Sequence, residues 1–337
     1  MAKTKAITNV RLFDGKELSD KTTVYIDGER FAAELDAQET IDAKGAFMMP
    51  GLIDAHCHVT QMRNVNRNLK NGVTAAMTIQ TPNKLKASNK MRIYSTYNRA
   101  LGFVTDAKEF VETEIANGSD YIKIIIEHKP MMAKTIIRDD VVMGIVEEAH
   151  KRGKLVACHA VSVPAMELAI EAGVDIHVHV PLEATMSADM VDRIAAHRAP
   201  VVPTLAMMKG FADIPIYGYK KQDYQNSVNC VQMLHEAGVP LMTGTDASNI
   251  IFLPWVKFGD GLHGEMQLMS AAGLSNTEIL AGATSIAAES YGMNEAGLIA
   301  PGKYADFILV NGDPTANLSD IDNIKLVSVG GETVFTA

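Results

Sequence analysis

Short apolar runs dominate the middle of the chain, each followed by a stretch in which apolar positions recur at helical spacing. Between Leu52 and Tyr291 this alternation predicts βα units and a parallel sheet. Eight candidate strands stand out: Leu52–Val59, Val73–Ile79, Met91–Tyr97, Tyr121–Ile126, Leu155–Ala160, Val174–Val180, Pro200–Leu205 and Pro240–Thr245. Helical patterns over Asp139–Arg152 and Pro164–Ala172 end at Gly153 and Gly173, and Ser187–His197 opens on a capping serine. Ser275-Asn276-Thr277-Glu278 has the form of a capping box opening the last helix. Thr60–Gly72 and Gln80–Lys90 leave room only for short or irregular helices.

The two ends have a different rhythm. Ala6–Phe13 alternates loosely and is turned by Asp14-Gly15; Thr22–Ile26 ends at Asp27-Gly28, a strong hairpin signal. Thr40–Ile41 and Phe47–Met49 lead to Pro50-Gly51. At the far end, Ala305–Val310 precedes the turn Asn311-Gly312-Asp313-Pro314. Ile324–Val329, Gly330-Gly331 and Thr333–Phe335 follow. Neither end is long enough to bury a core alone, so the termini are predicted to meet. The expected fold is α/β: a (β/α)8 TIM barrel over residues 51–296, with a composite β-sandwich module made from 1–50 plus 297–337.

Composition agrees with that size. A barrel needs roughly 250 residues, and the chain has 337, of which 47% are hydrophobic. The net charge of −9 argues against a nucleic-acid partner, which requires a basic face. There is no apolar stretch of membrane-spanning length and no signal peptide pattern at Met1–Val10, so neither membrane association nor export is expected and a cytoplasmic location is. Cys57, Cys158 and Cys230 imply no disulfide framework.

Candidate chemistry gathers at strand ends. In Leu52-Ile53-Asp54-Ala55-His56-Cys57-His58, side-chain alternation turns His56 and His58 to one face and Cys57 to the other. Two imidazoles at that spacing can chelate a metal, although buried paired histidines also occur. Lys123 lies inside the apolar run Tyr121–Ile126, where desolvation penalises an unpaired charge. His159 closes the fifth strand; His177 and His179 share a face of the sixth; Asp246 follows the eighth. Each has an ordinary structural explanation on its own. Together they fall near the ends of different strands, which in a barrel converge on one pocket.

Those residues carry a family resemblance. Phe47-Met48-Met49-Pro50-Gly51-Leu52-Ile53-Asp54-Ala55-His56-Cys57-His58 resembles the opening motif of the amidohydrolase superfamily. Gly173-Val174-Asp175 before His179, Gly244-Thr245-Asp246-Ala247, and Gly297-Leu298-Ile299-Ala300-Pro301-Gly302-Lys303-Tyr304-Ala305-Asp306-Phe307 are similar to its later signatures. The likeness is strongest to the branch holding imidazolonepropionase-like proteins and prolidase-like dipeptidases.

The resemblance implies two divalent metal ions, with zinc the best match to the ligands. His56, His58 and Asp246 would hold the more buried ion, and His159 and His179 the more exposed one. Lys123, carboxylated by CO2, would bridge them as a carbamate. A hydroxide between the ions would attack the substrate, with Asp246 taking its proton and passing it to the leaving nitrogen. His179 is preferred over His177 because it lies nearer the strand's C-terminal end and where the family's ligand falls. Asp54 reads as structural support one layer deeper, and Cys57 and Cys158 as packing against helices.

Glu127 and His128 stand where dipeptidase relatives usually carry small residues. His128, Arg99 and His263 are candidate substrate contacts, with Lys129 and Lys209 as further cations near strand ends. Deaminase-like members place a glutamate three residues after the fifth-strand histidine; here Ser162 occupies that position. The expected activity is cleavage of an amide or other C–N bond in a small molecule, such as a dipeptide or N-acyl amino acid. A mononuclear cyclic-amide hydrolase needs only His56, His58, His159 and Asp246 and stays open, as does a metabolite binder without turnover. Short loops after strands one, two and seven suggest a homo-oligomer in which a neighbour completes the pocket.

Overall fold

A computed structural model describes residues 4–127, 136–212, 223–249 and 256–337. Strands from the two chain ends pair with each other. One sheet holds, in spatial order, Arg30–Ala32, Thr23–Asp27, Lys5–Thr8 and Glu39–Asp42. A second runs Glu332–Thr336, Ile324–Val329, Phe307–Val310, Phe47–Pro50, Arg11–Phe13 and Leu18–Ser19. Its central joint is antiparallel, with Phe307 opposite Pro50 and Val310 opposite Phe47. Ile7, Val24, Ile26 and Phe31 of the first sheet share one apolar cluster with Leu12, Met48, Phe307 and Leu309 of the second. The loosely alternating Ala6–Phe13 run is therefore two strands in different sheets. The break falls at Asn9, whose φ of 54° lies in the left-handed region that asparagine tolerates.

Parallel strands make up the middle. Leu52–Cys57, Val73–Ile79 and Arg92–Thr96 are neighbours in one sheet. Ile122–Ile126, Val156–Ala160, Ile176–Val178 and Val201–Val202 form another. Ala100 bridges to Ile124, Leu241 to Val201 and Ala247 to Cys57, all parallel. Both faces of these strands are covered, which explains their near-continuous apolar composition. Their apolar residues divide between two cores, with the first strand changing sides at an irregularity between Asp54 and Cys57: Ile53, Ala55, Ala75, Met77, Ala157, Val178 and Val202 pack together on one side. Cys57, Cys158, Ile122 and Ile124 pack on the other with helical residues such as Val142, Ile145 and Met166.

The predicted eighth strand, Pro240–Thr245, is not a regular strand. Its backbone nevertheless bonds to both neighbours: Met242 N donates to Val201 O at 2.9 Å, Ala55 N to Thr243 O at 3.0 Å and Thr245 N to His56 O at 3.1 Å. Close approach interrupts the pattern at Gly244, where an added Cβ would sit 2.4 Å from Val202 Cγ1 and 2.8 Å from the His56 nitrogen.

Helices connect most strands. Val163–Ala172 is capped by Ser162, whose hydroxyl accepts from Ala165 N, and stops at Gly173 with φ 73°. Both halves of the Ser275/Glu278 capping box form at the start of Asn276–Gly282, although this helix is followed by one more, Ser285–Ser290. The two tight early connections hold the nine-residue Met62–Lys70 and the five-residue Asn83–Ala87. Among the described residues no helix is long and apolar enough to cross a membrane. All three cysteines are buried and free.

Candidate metal centre

The first parallel strand carries His56 at its end and His58 just beyond it. Their Nε2 atoms lie 3.2 and 2.8 Å from the same oxygen, Asp246 Oδ1. Asp246 reaches them because its backbone N–H donates to His56 O at 2.7 Å. Beneath this joint, buried Asp54 accepts from Thr245 Oγ1 at 2.7 Å and Thr245 N at 3.0 Å, tying the first strand to the run that delivers Asp246. Burial pushes the Asp54 carboxyl up to about 7, against the pull of those hydrogen bonds. Asp54 thus fastens the backbone that carries His56 to the backbone that carries Asp246.

His179 comes from the second parallel sheet, just beyond Ile176–Val178. Its N–H donates to Val202 O at 2.8 Å, and its Nδ1 lies 2.7 Å from Thr204 Oγ1. That leaves Nε2, which is buried and has no hydrogen-bond partner. His179 (φ 76°), Thr204 (φ 49°) and Asp246 (φ 56°) all occupy the left-handed region. Non-glycine residues there cost of order 1–3 kcal/mol each, and a β-branched threonine is a pronounced outlier. The strain concentrates where the chain turns out of the sheet to aim these side chains.

One ligand atom each from His56, His179 and Asp246 lies within 4.8 Å of the others. The electrostatics suit a cation. Burial and then the charge of Lys123 hold His56 down at about 3, so its imidazole is neutral with a lone pair to offer. Burial and neighbouring His159 drive His179 well below the usual histidine range. Asp246 is pushed up by burial, but the His56 and His58 hydrogen bonds outweigh this and hold it well below the usual carboxylate range.

Lys123 is 1% exposed, and its Nζ has no hydrogen-bond partner. Burial lowers it to about 8, a displacement equivalent to roughly 3 kcal/mol against the ammonium form. His159 is 4.4 Å from His179 between ring centroids, and its Nε2 lies 2.6 Å from Glu127 Oε1. Neutral imidazoles, an anionic carboxylate and two unpartnered buried nitrogens fit divalent metal, with His56, His58, Lys123, His159, His179 and Asp246 as the candidate donors.

The remaining predicted residues divide. Arg99 bonds to Gln80 Oε1, and burial lowers its guanidinium against the opposing charge of Asp246. His128 and Lys129 lie outside the described residues. His263 is a correction: Nδ1 is engaged by Asp322 at 2.7 Å and Nε2 by the Asn71 carbonyl at 3.0 Å, so the ring fastens its helix to the C-terminal segment. Lys209 lies 5.9 Å from the Tyr224 ring. His177 lines a different cavity of about 710 Å³ with Asp175, His197 and Arg198, and that cavity includes none of the six predicted ligands. One residue pair along the strand separates the two histidines, and the chain's exit from the sheet falls at His179.

Pattern reading missed two supports. Thr204 follows Val-Val-Pro, and a single threonine there gives no signal. Glu265 is fully buried and accepts from Leu205 N and Ala206 N, both at 2.6 Å, bracing the helix that begins after Thr204. A glutamate within a half-buried helix looks like any solvated position in sequence.

A profile of the amidohydrolase family matches residues 47–334. An uncharacterized protein of Mycobacterium tuberculosis is 24% identical over an alignment of 281 residues, with 70% of this chain and 74% of that protein covered. Among solved structures, a Xaa-Pro dipeptidase with methionine bound in its active site superposes with TM-score 0.83 at 20% identity, covering 99% of this chain and 100% of that one. A prolidase complexed with N-methylphosphonate-L-proline gives 0.80 at 22% identity, covering 99% and 100%. Molinate hydrolase gives 0.83 at 18%, covering 98% and 94%.

Proposed function

The chain belongs to the amidohydrolase family of hydrolases acting on C–N bonds, and from that membership we propose a binuclear metal-dependent enzyme that cleaves an amide bond of a small substrate. The observation that carries this reading is the buried nitrogen of Lys123, which has no protein partner in a region that also gathers His56, His179 and Asp246. In this reading the two parallel sheets and the Leu241–Ala247 run close into one (β/α)8 barrel over residues 51–296. Residues 1–50 and 297–337 form the accompanying β-sandwich module.

His56, His58 and Asp246 would hold one divalent ion, zinc by ligand chemistry, and His159 and His179 would hold a second. Lys123 would supply a further ligand as a carbamate, formed when its amine adds CO2 and releases a proton; its buried amine lacks any protein partner and loses its proton more readily than an exposed lysine. The ions, when bound, would polarise the scissile carbonyl and lower the pKa of water held between them. Asp246 then removes the proton of the attacking water and delivers it to the leaving nitrogen, so it is both base and acid in one turnover. Arg99 offers a cation for a substrate carboxylate. A dipeptide or N-acyl amino acid is the substrate class, supported by the fold shared with the Xaa-Pro dipeptidase and the prolidase.

A second reading has one specific observation in its favour. Only His56, His179 and Asp246 lie within 4.8 Å of each other among the described residues, a set sufficient for one ion. A mononuclear cyclic-amide hydrolase would use it without modifying Lys123. Elemental analysis and intact mass of the metal-replete enzyme separate the two. Two equivalents per chain with a carboxylated Lys123 support the binuclear reading, and one equivalent with an unmodified Lys123 refutes it; a screen of dipeptides, N-acyl amino acids and lactams then identifies the substrate.

A further inference from the structure

The ligand set proposed above leaves Glu127 without a role, yet its carboxylate is committed to the site. Glu127 Oε1 is 2.6 Å from His159 Nε2, and both side chains are nearly buried, at 12% and 13% exposure. The carboxylate accepts, so Nε2 must carry the proton. The lone pair of the ring then resides on Nδ1. His179 shows the same logic with its nitrogens exchanged: Thr204 Oγ1 occupies Nδ1, and Nε2 is left buried and unpartnered. The two rings stand edge to face, with centroids 4.4 Å apart. Each of these histidines thus has one nitrogen fastened by a side chain and one remaining for a cation.

We propose that Glu127 is a positioning residue for His159: it fixes the Nε2–H form, orients the ring, and makes Nδ1 the nitrogen that binds the more exposed ion. The inference rests on the two-ion reading and deepens it. A carboxylate donating charge through an imidazole also raises the ligand's basicity, and losing such a partner typically costs 10–100-fold in metal affinity. Glutamate suits the task because its two extra side-chain bonds beyond Cβ span from the end of the fourth parallel strand to the neighbouring strand, where Ile125 stands opposite His159.

The test is calorimetric titration of metal-free protein with Zn2+, alongside visible absorption of the Co2+-loaded protein. Wild type is expected to bind two equivalents. Glu127→Ala should bind the first as wild type does and the second 10–100-fold more weakly. Glu127→Gln, which still accepts from Nε2–H but carries no charge, should recover part of that loss. Its Co2+ spectrum at saturation should retain wild-type intensity. Unchanged binding of both ions by Glu127→Ala overturns the inference while leaving the two-ion reading intact. A changed Co2+ band in Glu127→Gln also overturns it, because Glu127 would then be a direct ligand. A single equivalent on wild type is a separate result that overturns the two-ion reading itself. If Glu127→Ala does not fold, the Glu127→Gln titration decides alone, and wild-type affinity for the second ion refutes the proposal.

Discussion

An ammonium buried at Lys123 without an acceptor is a standing cost of several kcal/mol to the metal-free fold. Lys123→Met removes the charge and keeps most of the volume. The metal-free variant is therefore expected to melt at or above the wild-type temperature, while its uptake of two ions falls. A variant that melts several degrees lower and loads normally would show that Lys123 serves the fold and not the metals. Asp246→Asn is expected to retain bound metal and lose about 10³-fold or more of the hydrolysis rate, since an amide cannot shuttle the proton. Elemental analysis and steady-state assay read the two effects separately. Thr204→Val keeps the β-branched shape at φ 49° but removes the hydroxyl bonded to His179. Its expected signature is a roughly tenfold or greater loss of metal affinity with little change in melting; equal affinity would remove Thr204 from the account.

At the scale of elements, the strands were legible because both faces are buried, and an apolar run surrounded by helical spacing permits few other readings. Val73–Ile79 is predicted and observed over the same residues. Pro240–Thr245 was readable as an element but not as an irregular one, since Gly244 is shaped by a neighbour whose proximity no local pattern encodes. Gly244→Ala is expected to force Val202 and the His56 backbone apart, costing about 1–3 kcal/mol and weakening metal binding in the same variant. Denaturant unfolding and metal titration should move together. The alternation of side chains correctly put His56 and His58 on one face. It could not distinguish His177 from His179, because the deciding event is the left-handed turn at His179. Nor could it foresee that both nitrogens of His263 are taken by Asn71 and Asp322.

The capping box at Ser275 was readable in full, and it makes an electrostatic prediction. Hydrogen bonds from Ser275, then from His235, hold Glu278 down at about 2, below its ordinary 4.5. A depressed carboxylate stabilises the fold above pH 4.5 and loses that contribution as pH falls toward 2. Glu278→Gln should thus be less stable than wild type at pH 7, with the difference shrinking on acidification through that window. A gap that widens below pH 4.5 would reverse the sign and contradict the assignment.

For the whole molecule, the pairing of Phe47–Pro50 with Phe307–Val310 joins chain ends far apart in sequence, immediately before the strand that carries His56. Each end's insufficiency as a core made that meeting legible; which strands are neighbours was not, because register depends on contacts across the chain. The short loops expected after strands one, two and seven motivate an oligomer whose neighbour helps enclose the pocket; light scattering after size exclusion should show more than one chain, and a monomer would refute it. Anomalous diffraction from crystals of the metal-replete protein puts the central claim to the most direct trial. Two peaks are expected per chain, one beside His56, His58 and Asp246 and one beside His159 and His179, with continuous density from Lys123 between them. One peak, no peak, or an unmodified Lys123 pointing away from the ions would contradict the binuclear centre.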